Sequence, residues 1–328
     1  MSLLLSLSLR LPFIQKANLT TVGIILKATL YTIIALIAFA ANSLFCRMAL
    51  AEGYIDAWNF TIIRLLSGAL CLSIIMGVYS YNLRRNEATL KHPTSEAILS
   101  DRGSWLSSIS LVVYALCFSI AYVELDTGTG ALILFSAVQL TMIGWGIYKK
   151  EQLSALQWLA FIVAVAGFVY LMLPSAAVPS VLAATLMAIS GVAWGIYSIR
   201  GKACVSPLRA TGFNFLRSLF AIPLLLIMSM VYLKNISLAT ISIEGILLAC
   251  ASGAIASGMG YSVWYMAMPL LKSTQAAVVQ LCVPVLAAIL GVVFLSEQLT
   301  INFIIASTVI LGAVLIFILN KKTPKTVS

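Results

Sequence analysis

The amino-acid sequence predicts an all-α integral membrane protein with ten transmembrane helices, arranged as two inverted five-helix repeats. Three observations lead to this fold class. The 328 residues are 62% hydrophobic and only 9% charged, with a mean hydropathy of +1.07. Apolar stretches of about 20 residues, the length that spans a bilayer, follow one another along the chain. Segments of the first half also recur in the second half.

Ten apolar stretches predict the spans in order. Most connections between them are short, and the exception is the polar segment at 80–103, which is expected to be a solvated loop or a surface helix. The first repeat is expected to occupy 28–173 and the second 178–319, with an N-terminal tail at 1–27 and a basic tail at 320–328. The predicted spans are 28–48, 57–79, 104–123, 127–148, 153–173, 178–198, 208–232, 243–266, 271–295 and 299–319.

Basic residues indicate the orientation of these spans. With the N-terminus on the cytoplasmic side, 16 of the 20 lysine and arginine residues fall in cytoplasmic segments. Because these residues are enriched in cytoplasmic loops, both termini are predicted to be cytoplasmic. The net charge of +10 is explained by the same loops, so nucleic acid is not an expected partner.

The internal repeat is visible in two pairs of segments. At an offset of 153 residues, FTIIRLL at 60–66 matches FNFLRSL at 213–219, and the arginines of the two segments align. At an offset of 146 residues, 148–167 matches 294–313 through a shared Glu-Gln-Leu triplet. Each half has five spans, an odd number, so the second half is predicted to be inverted in the membrane. Inverted repeats of this kind are typical of transporters with a site near the bilayer midplane.

The closing helix pair of each half resembles a known family. The two copies read ELDTGTGALILFSAVQLTMIGWGIYKKEQLSALQWLAFIVAVAGFVYL and PLLKSTQAAVVQLCVPVLAAILGVVFLSEQLTINFIIASTVILGAVLI. Both are similar to the EamA-type family of the drug/metabolite transporter superfamily, and the resemblance extends from about 28 to 320. The family places a glutamate between these helices, which matches Glu151 and Glu297. It often has a mid-helix proline, which matches Pro284 but is Val138 in the first half.

The resemblance implies a secondary transporter of small metabolites that works by alternating access. It implies that helices 1–4 and 6–9 line a central cavity and that helices 5 and 10 buttress it. Efflux of amino-acid-like solutes across a bacterial inner (plasma) membrane is the first expectation. Uptake or exchange of an anionic or nucleotide-like metabolite is the alternative, and a non-transporting membrane sensor or partner protein is a further one. The expected partners are a small-molecule substrate and the lipid bilayer, and a homodimer is also considered.

Polar and aromatic residues inside the predicted spans are candidates for the substrate cavity. Arg64 and Arg217 could each bind helix-end carbonyls, snorkel to the surface or contact an anionic substrate. Tyr261, Trp264 and Tyr265 share one helix face, as a cavity wall or as an interfacial belt. The full set of cavity candidates is Asn42, Ser43, Arg64, Tyr114, Ser136, Gln139, Arg217, Tyr261, Trp264 and Gln280.

A second set of residues is predicted to have structural roles, and Pro284 belongs to it. Glu151 and Glu297 are expected to begin the fifth and tenth helices and to stabilise the unpaired amides there. Gly191 and Gly195 form a GxxxG motif in the sixth span. With the small-residue run at 252–260, they predict close helix packing.

Residues suited to catalysis are scarce. His92 is the only histidine, and the six cysteines include no CxxC pair. An integral membrane enzyme, a further alternative, needs a nucleophile with a base, or a metal cluster. The GxG pairs at 128–130 and 258–260 lack the continuation of a dinucleotide-binding motif. The sequence therefore predicts a protein that is not an enzyme, with no catalytic residue, metal site or cofactor.

Overall fold

A computed structural model describes residues 11–87, 98–148, 153–172, 180–201, 204–233, 241–271, 279–280 and 282–320. Every regular element within these residues is a helix. The α-helices are α1 (Leu11–Ala51), α2 (Ala57–Glu87), α3 (Trp105–Ala121), α4 (Thr127–Tyr148), α5 (Ala155–Met172), α6 (Val181–Gly201), α7 (Pro207–Ser218), α8 (Ile222–Leu233), α9 (Ile243–Cys250), α10 (Gly260–Ala267), α11 (Cys282–Leu295) and α12 (Ile301–Leu319).

Short non-α segments join some of these helices into longer rods. A 3-10 turn at Leu219–Ala221 joins α7 to α8, and a π-helical segment at Ala251–Met259 joins α9 to α10. A second 3-10 turn at Met268–Leu270 follows α10. The π-helical segment is the part of the chain that contains the predicted small-residue run. π-Helical turns are uncommon and occur frequently at functional sites.

The helices have the length and composition of membrane spans. Six segments of the described chain are long and apolar enough to cross a bilayer: Ile25–Ala51, Ala57–Asn82, Thr127–Tyr148, Val181–Gly201, Pro207–Val231 and Ile243–Leu270. Four further apolar helices are shorter: Trp105–Ala121, Ala155–Tyr170, Cys282–Leu295 and Ile301–Phe317. The protein is therefore an all-α membrane protein with several crossings.

Two predicted segments are longer as helices than the predicted spans. The described part of the first helix runs from Leu11 to Ala51, and within it Ile25–Ala51, which contains the predicted span 28–48, is long and apolar enough to cross a bilayer. The second helix continues to Glu87, so the first part of the polar segment at 80–103 is helical. His92, Glu151 and residues 321–328 lie outside the described residues.

Side-chain caps set where several helices begin. Asp56 accepts hydrogen bonds from the backbone amides of Trp58 and Asn59 at the start of α2. Ser104 and Ser242 do the same for α3 and α9, and Ser242 accepts from the amide of Gly245 at 3.1 Å. Such caps satisfy amides that have no partner within the helix.

Small residues allow the helices to approach closely around one continuous core. A Cβ on Gly195 would lie 2.9 Å from the side chain of Thr141, so α6 packs directly on α4. A Cβ on Gly191 of α6 would meet the Leu134 carbonyl of α4, and a Cβ on Gly253 in the π-helical segment would meet the carbonyl of Arg64. Close backbone approach through glycine is the usual way in which membrane helices associate. Here it brings polar groups of distant segments together.

Candidate functional site: a buried arginine centre between the two halves

The interior of the bundle contains a charged side chain. Arg64 on α2 is 1% exposed and is among the largest fully buried side chains. Six residues make up what we call the Arg64 centre: Asn42, Arg64, Tyr114, Ser252, Ser257 and Tyr261. They come from α1, α2, α3, the π-helical segment and α10, so both halves of the chain contribute.

Hydrogen bonds hold the guanidinium in place. Arg64 Nη2 donates to the hydroxyl of Tyr261 at 2.8 Å and to that of Tyr114 at 3.2 Å, and Nε donates to Ser257 Oγ at 3.1 Å. Tyr261 also donates to Tyr114 at 3.0 Å. Asn42 completes the network, since its amide nitrogen donates to Tyr114 and its Oδ1 accepts from Ser252 at 2.7 Å.

Aromatic rings surround this network. The guanidinium carbon of Arg64 lies 5.1 Å from the ring centroid of Tyr114 and 5.0 Å from that of Phe118. Cation–π contacts of this kind are worth about 2 kcal/mol when desolvated. The rings of Trp194 and Tyr261 lie 4.5 Å apart, and Phe39 contacts both. The centre is thus a polar cluster inside an aromatic shell.

No carboxylate balances the charge of Arg64 within the described residues, where the ion pairs involve Arg47 instead. The acidic residues that the structure describes lie in loops or at helix ends: Glu52, Asp56, Glu87, Asp101, Glu124, Asp126, Glu244 and Glu297. Arg64 Nη1 is buried and has no hydrogen-bond partner among the described residues. A guanidinium has five N–H donors, so the two on Nη1 are available to a further acceptor.

A cluster of charged residues closes one end of the bundle. We call it the Arg47 cluster, and it consists of Arg47, Asp126, Thr127 and Glu297. The Glu297 carboxylate accepts from the amide of Thr127 at 2.8 Å and from its hydroxyl at 2.9 Å, and it pairs with Arg47 Nε at 3.5 Å. Arg47 also donates to the carbonyls of Tyr122 and Val123. The cluster therefore ties α1 and α4 to the loop before α12.

Burial affects the ionisation of this cluster. Partial burial raises the pKa of Glu297 above its usual value of 4.5, and the Asp126 carboxylate adds to the rise. The Thr127 hydrogen bonds and the charge of Arg47 act in the opposite direction and offset part of it. The loop carboxyl at this end therefore takes up a proton more readily than an exposed one.

A second cluster closes the opposite end, beside the start of α7. We call it the Asp101 cluster: Asp101, Val205, Ser206 and Arg209. Asp101 Oδ2 accepts from the backbone amides of Val205 and Ser206, both at 2.8 Å. Arg209 donates to Ser80 at 2.7 Å and to the Leu99 carbonyl at 2.6 Å. This cluster also joins the first half of the chain to the second.

A small polar cavity opens beside the Asp101 cluster. Its volume is about 130 Å³, and the residues that line it include Asp101, Ser107, Arg200, Asn214 and Tyr265. Four aromatic rings in contact lie between this cavity and the Arg64 centre. Their centroid distances are 5.2 Å for Tyr265 and Tyr197, 5.4 Å for Tyr197 and Trp194, and 4.5 Å for Trp194 and Tyr261. Tyr265 fixes this arrangement by donating to the Tyr197 carbonyl at 3.0 Å.

Comparisons with known proteins place this architecture in a family. The chain is 42% identical over 288 residues to an uncharacterized protein, PA1977, of Pseudomonas aeruginosa, and the alignment covers 88% of this chain and 93% of that one. The sequence model described as the EamA-like transporter family matches residues 181–319. The chain belongs to the EamA-like transporter family. The resemblance to this family within the drug/metabolite transporter superfamily is thereby confirmed.

A solved structure shares the fold of this EamA-like protein. It is described as a crystal structure of a protein, and it covers 90% of this chain and 98% of its own, with a TM-score of 0.59 and 18% identity. At this level of identity the likeness shows the fold alone.

Ten residues of this EamA-like protein were candidates for the substrate cavity. Hydrogen bonds link four of them directly: Asn42, Arg64, Tyr114 and Tyr261. Trp264 is fully buried and contacts the Phe39 ring at 5.6 Å. Ser136 donates to the Leu132 carbonyl of its own helix. Ser43, Gln139 and Gln280 are buried as well.

Arg217 is the candidate that the structure separates from the others. Its alignment with Arg64 suggested an equivalent position, but its guanidinium donates to the Arg102 carbonyl and lies over the Trp105 ring at 5.6 Å. The interior face of α7 is taken by Asn214, Phe215 and Ser218, which are buried. The long side chain of Arg217 therefore extends along the flank toward the end of the bundle.

Two further expectations are corrected. Glu297 does not begin the last helix, because α12 starts at Ile301; its carboxylate instead caps α4 through the Thr127 amide. Tyr265 is 1% exposed, so the aromatic stripe that includes it faces the interior rather than an interfacial belt. Pro284 is buried near the described start of α11.

The sequence reasoning missed several residues of the site. Trp194 lies between the glycines of the GxxxG motif, and Ser252 and Ser257 lie in the small-residue run. Both patterns indicate helix packing and do not single these residues out. A signal was present, because a tryptophan or serine among small residues of an interior helix face needs a polar or aromatic partner.

Proposed function

We propose that this protein is a secondary transporter that moves a small organic solute across a membrane by alternating access. The observation that carries the proposal is the Arg64 centre, a polar site enclosed between the two halves of the chain. Intramembrane charges are costly, and they commonly mark substrate or ion pathways. Membership of a transporter family supports the same function.

Ten crossings in two inverted repeats are part of this proposal. The six long spans and the four shorter apolar helices together support that count. The helix pairs also support it, since α5 packs on α12, α4 on α11 and α2 on α7. In a ten-span numbering these are the fifth and tenth, fourth and ninth, and second and seventh helices. A two-fold axis in the membrane plane would pair equivalent helices in this way.

The two end clusters would act as alternating gates. Each joins the first half to the second: Glu297 is held by Arg47 and Thr127 at one end, and Asp101 holds Val205 and Ser206 at the other. Opening either end requires its own contacts to break while those at the other end persist. The distribution of basic residues supports a cytoplasmic position for the Asp101 cluster and for both termini. The family resemblance favours a bacterial inner membrane.

Two classes of solute are proposed. The family resemblance favours efflux of amino-acid-like solutes. The absence of a carboxylate partner for Arg64 among the described residues favours the alternative of an anionic metabolite. A non-transporting sensor could use the same site without moving the solute.

Counterflow into proteoliposomes tests this proposal. The vesicles are loaded in turn with unlabelled amino acids, carboxylates and nucleotide sugars, and uptake of the labelled solute is followed. We expect exchange of one class by wild type, loss of exchange in Arg64→Ala and retention in Arg217→Ala, the matched arginine on the flank. If folded wild-type protein exchanges nothing in the panel but binds one of these solutes, the sensor function replaces the transporter.

A further inference from the structure

Among the buried polar atoms that lack a hydrogen-bond partner in the described residues are donors from three residues of the Arg64 centre and its aromatic surroundings. They are Arg64 Nη1 and the indole nitrogens of Trp194 and Trp264. The two tryptophans are 2% and 0% exposed, and both contact the Phe39 ring. Guanidinium and indole groups are donors only, so what they need is an acceptor. Leaving a buried donor unsatisfied is costly, and a ligand that supplies an acceptor removes that cost.

The charge of the centre limits the ligand further. Arg64 supplies one positive charge, and Arg47 is engaged by Asp126 and Glu297 at the end of the bundle. A ligand with one negative charge would neutralise the centre, whereas a ligand with two would leave a net charge in a medium of low polarity. A ligand that also carries an ammonium group would place that positive charge near Arg64, and no carboxylate of the described residues lies there to pair with it.

The surroundings of the centre suit an apolar ligand body. The rings of Phe39, Tyr114, Phe118, Trp194 and Tyr261 lie around the guanidinium or around one another. Aromatic side chains bind apolar groups through large contact areas, with a polar edge that fixes orientation. A carboxylate group alone, such as formate, has no apolar body to contact these rings.

We propose that the Arg64 centre binds an organic monocarboxylate with an apolar body, whose carboxylate accepts hydrogen bonds from Arg64 Nη1 and whose body lies against the aromatic shell. This rests on the proposed transport function for the ligand's access and release, and it narrows the substrate class from metabolites in general to singly charged organic acids.

The experiment measures binding to the purified full-length protein in micelles by calorimetry. The probes are 3-phenylpropionate, its neutral amide, phenylalanine, hexanoate and chloride. Wild type is expected to bind 3-phenylpropionate and hexanoate saturably, with the amide and phenylalanine at least tenfold weaker. Arg64→Gln is expected to lose at least tenfold in affinity for the two carboxylates, and Arg217→Gln is expected to be unchanged.

A second variant keeps the proposal falsifiable if Arg64→Gln does not fold. Trp194→Phe keeps a ring and removes the indole donor, and it is expected to weaken carboxylate binding severalfold. The proposal is overturned if the amide or phenylalanine binds as tightly as 3-phenylpropionate, if chloride alone binds, if neither carboxylate binds folded wild type, or if carboxylate affinity is the same in wild type and in a folded Arg64→Gln.

Transport measurements separate this inference from the proposed function. Counterflow of an amino acid without counterflow or binding of the carboxylates would leave the transporter standing and reject the monocarboxylate site. Carboxylate binding without any counterflow would support the site and reject transport. Carboxylate counterflow that is lost in Arg64→Gln and retained in Arg217→Gln would support both.

Discussion

At the residue scale, Arg64 is a buried cation that neutral groups stabilise. Hydrogen bonds to a charged group are worth about 1.5–3 kcal/mol each, and Arg64 makes three. Two ring contacts, with Tyr114 and Phe118, add to them. Burial of an ion costs several kcal/mol even after relaxation. The two contributions are comparable, which explains how the centre persists without a carboxylate among the described residues.

The phenol of Tyr261 provides the first test. Tyr261→Phe removes the hydroxyl that accepts from Arg64 at 2.8 Å and keeps the ring. We expect the free energy of unfolding to fall by at least about 1.5–3 kcal/mol, because a hydrogen bond to a buried charge is lost together with the bonds to Tyr114 and Ser257. Thermal unfolding in micelles measures this. Tyr79→Phe, at an exposed position, serves as control; an equal melting temperature for wild type and Tyr261→Phe would contradict the assignment.

At the element scale, a short turn between α11 and α12 positions the cap of a third helix. Ser296 has a φ of 54°, a left-handed conformation that commonly ends a helix. The amide of Glu297 then bonds back to the Gly291 carbonyl at 3.2 Å. Gly291 leaves room for the Glu297 carboxylate, which reaches the N-terminus of α4. Anions stabilise such helix N-termini.

The carboxyl of Glu297 predicts a dependence of stability on pH. Burial raises its pKa, so the folded protein holds this proton more tightly than the unfolded chain. The contribution of Glu297 to the free energy of unfolding is therefore present below pH 4.5 and lost as pH rises through its folded pKa. The charged and titratable groups that face it are Arg47, Asp126 and Tyr122.

Glu297→Gln removes this titration and keeps an acceptor for the Thr127 amide. We expect its melting temperature, relative to wild type, to rise as pH increases from 4.5 toward neutral. Glu244→Gln is the control, because it removes an exposed carboxyl from the first turn of α9, away from the Arg47 cluster. The relevant measurement is a series of melting curves between pH 4 and pH 8; parallel curves for wild type and Glu297→Gln would reject the assignment.

Helix packing through the GxxxG motif gives a further test at this scale. A methyl group on Gly191 would meet the Leu134 carbonyl and Ala137, which are backbone and packed side chain. We expect Gly191→Ala to destabilise the protein by about 1–3 kcal/mol through overpacking. Gly144→Ala, on α4 with no neighbour within 4 Å, should be neutral or slightly stabilising. Melting temperatures of the two variants decide the point, and equal values would contradict it.

At the scale of the whole molecule, the two end clusters and the Arg64 centre join the same two halves of the chain at three levels. Glu297, Tyr261 and Val205 of the second half each bond to residues of the first half. Motion of one half against the other must therefore rearrange all three sets of contacts. Such coupling is expected of a site that is accessible from one side at a time.

The reactivity of the Cys204 thiol provides a test of the Asp101 cluster. Burial, and secondly the Asp101 carboxylate, raise the pKa of the Cys204 thiol to about 11. Asp101→Ala removes that charge and the partner of the Val205 and Ser206 amides. We expect faster alkylation of Cys204 at pH 8, since each unit of pKa decrease raises the thiolate fraction about tenfold. Mass spectrometry resolves this cysteine; Asp56→Ala, which removes the cap of α2, should leave its rate unchanged.

The sequence by itself determined the membrane class, the helical fold and the family. It also found part of the centre, because Asn42, Arg64, Tyr114 and Tyr261 are polar groups in apolar spans, and such groups must find partners inside the bundle. These inferences depend on composition and on local sequence pattern, and both can be read from short segments of the chain.

Only the tertiary structure decided which partners these residues have. Arg64 and Ser257 are 193 residues apart in the chain. Arg217 aligns with Arg64 yet bonds to Arg102 on the flank, and Glu297 caps α4 rather than the helix that follows it. The physical reason is that a side chain's partners depend on the rotation and proximity of packed helices, which its own neighbours in the sequence do not specify.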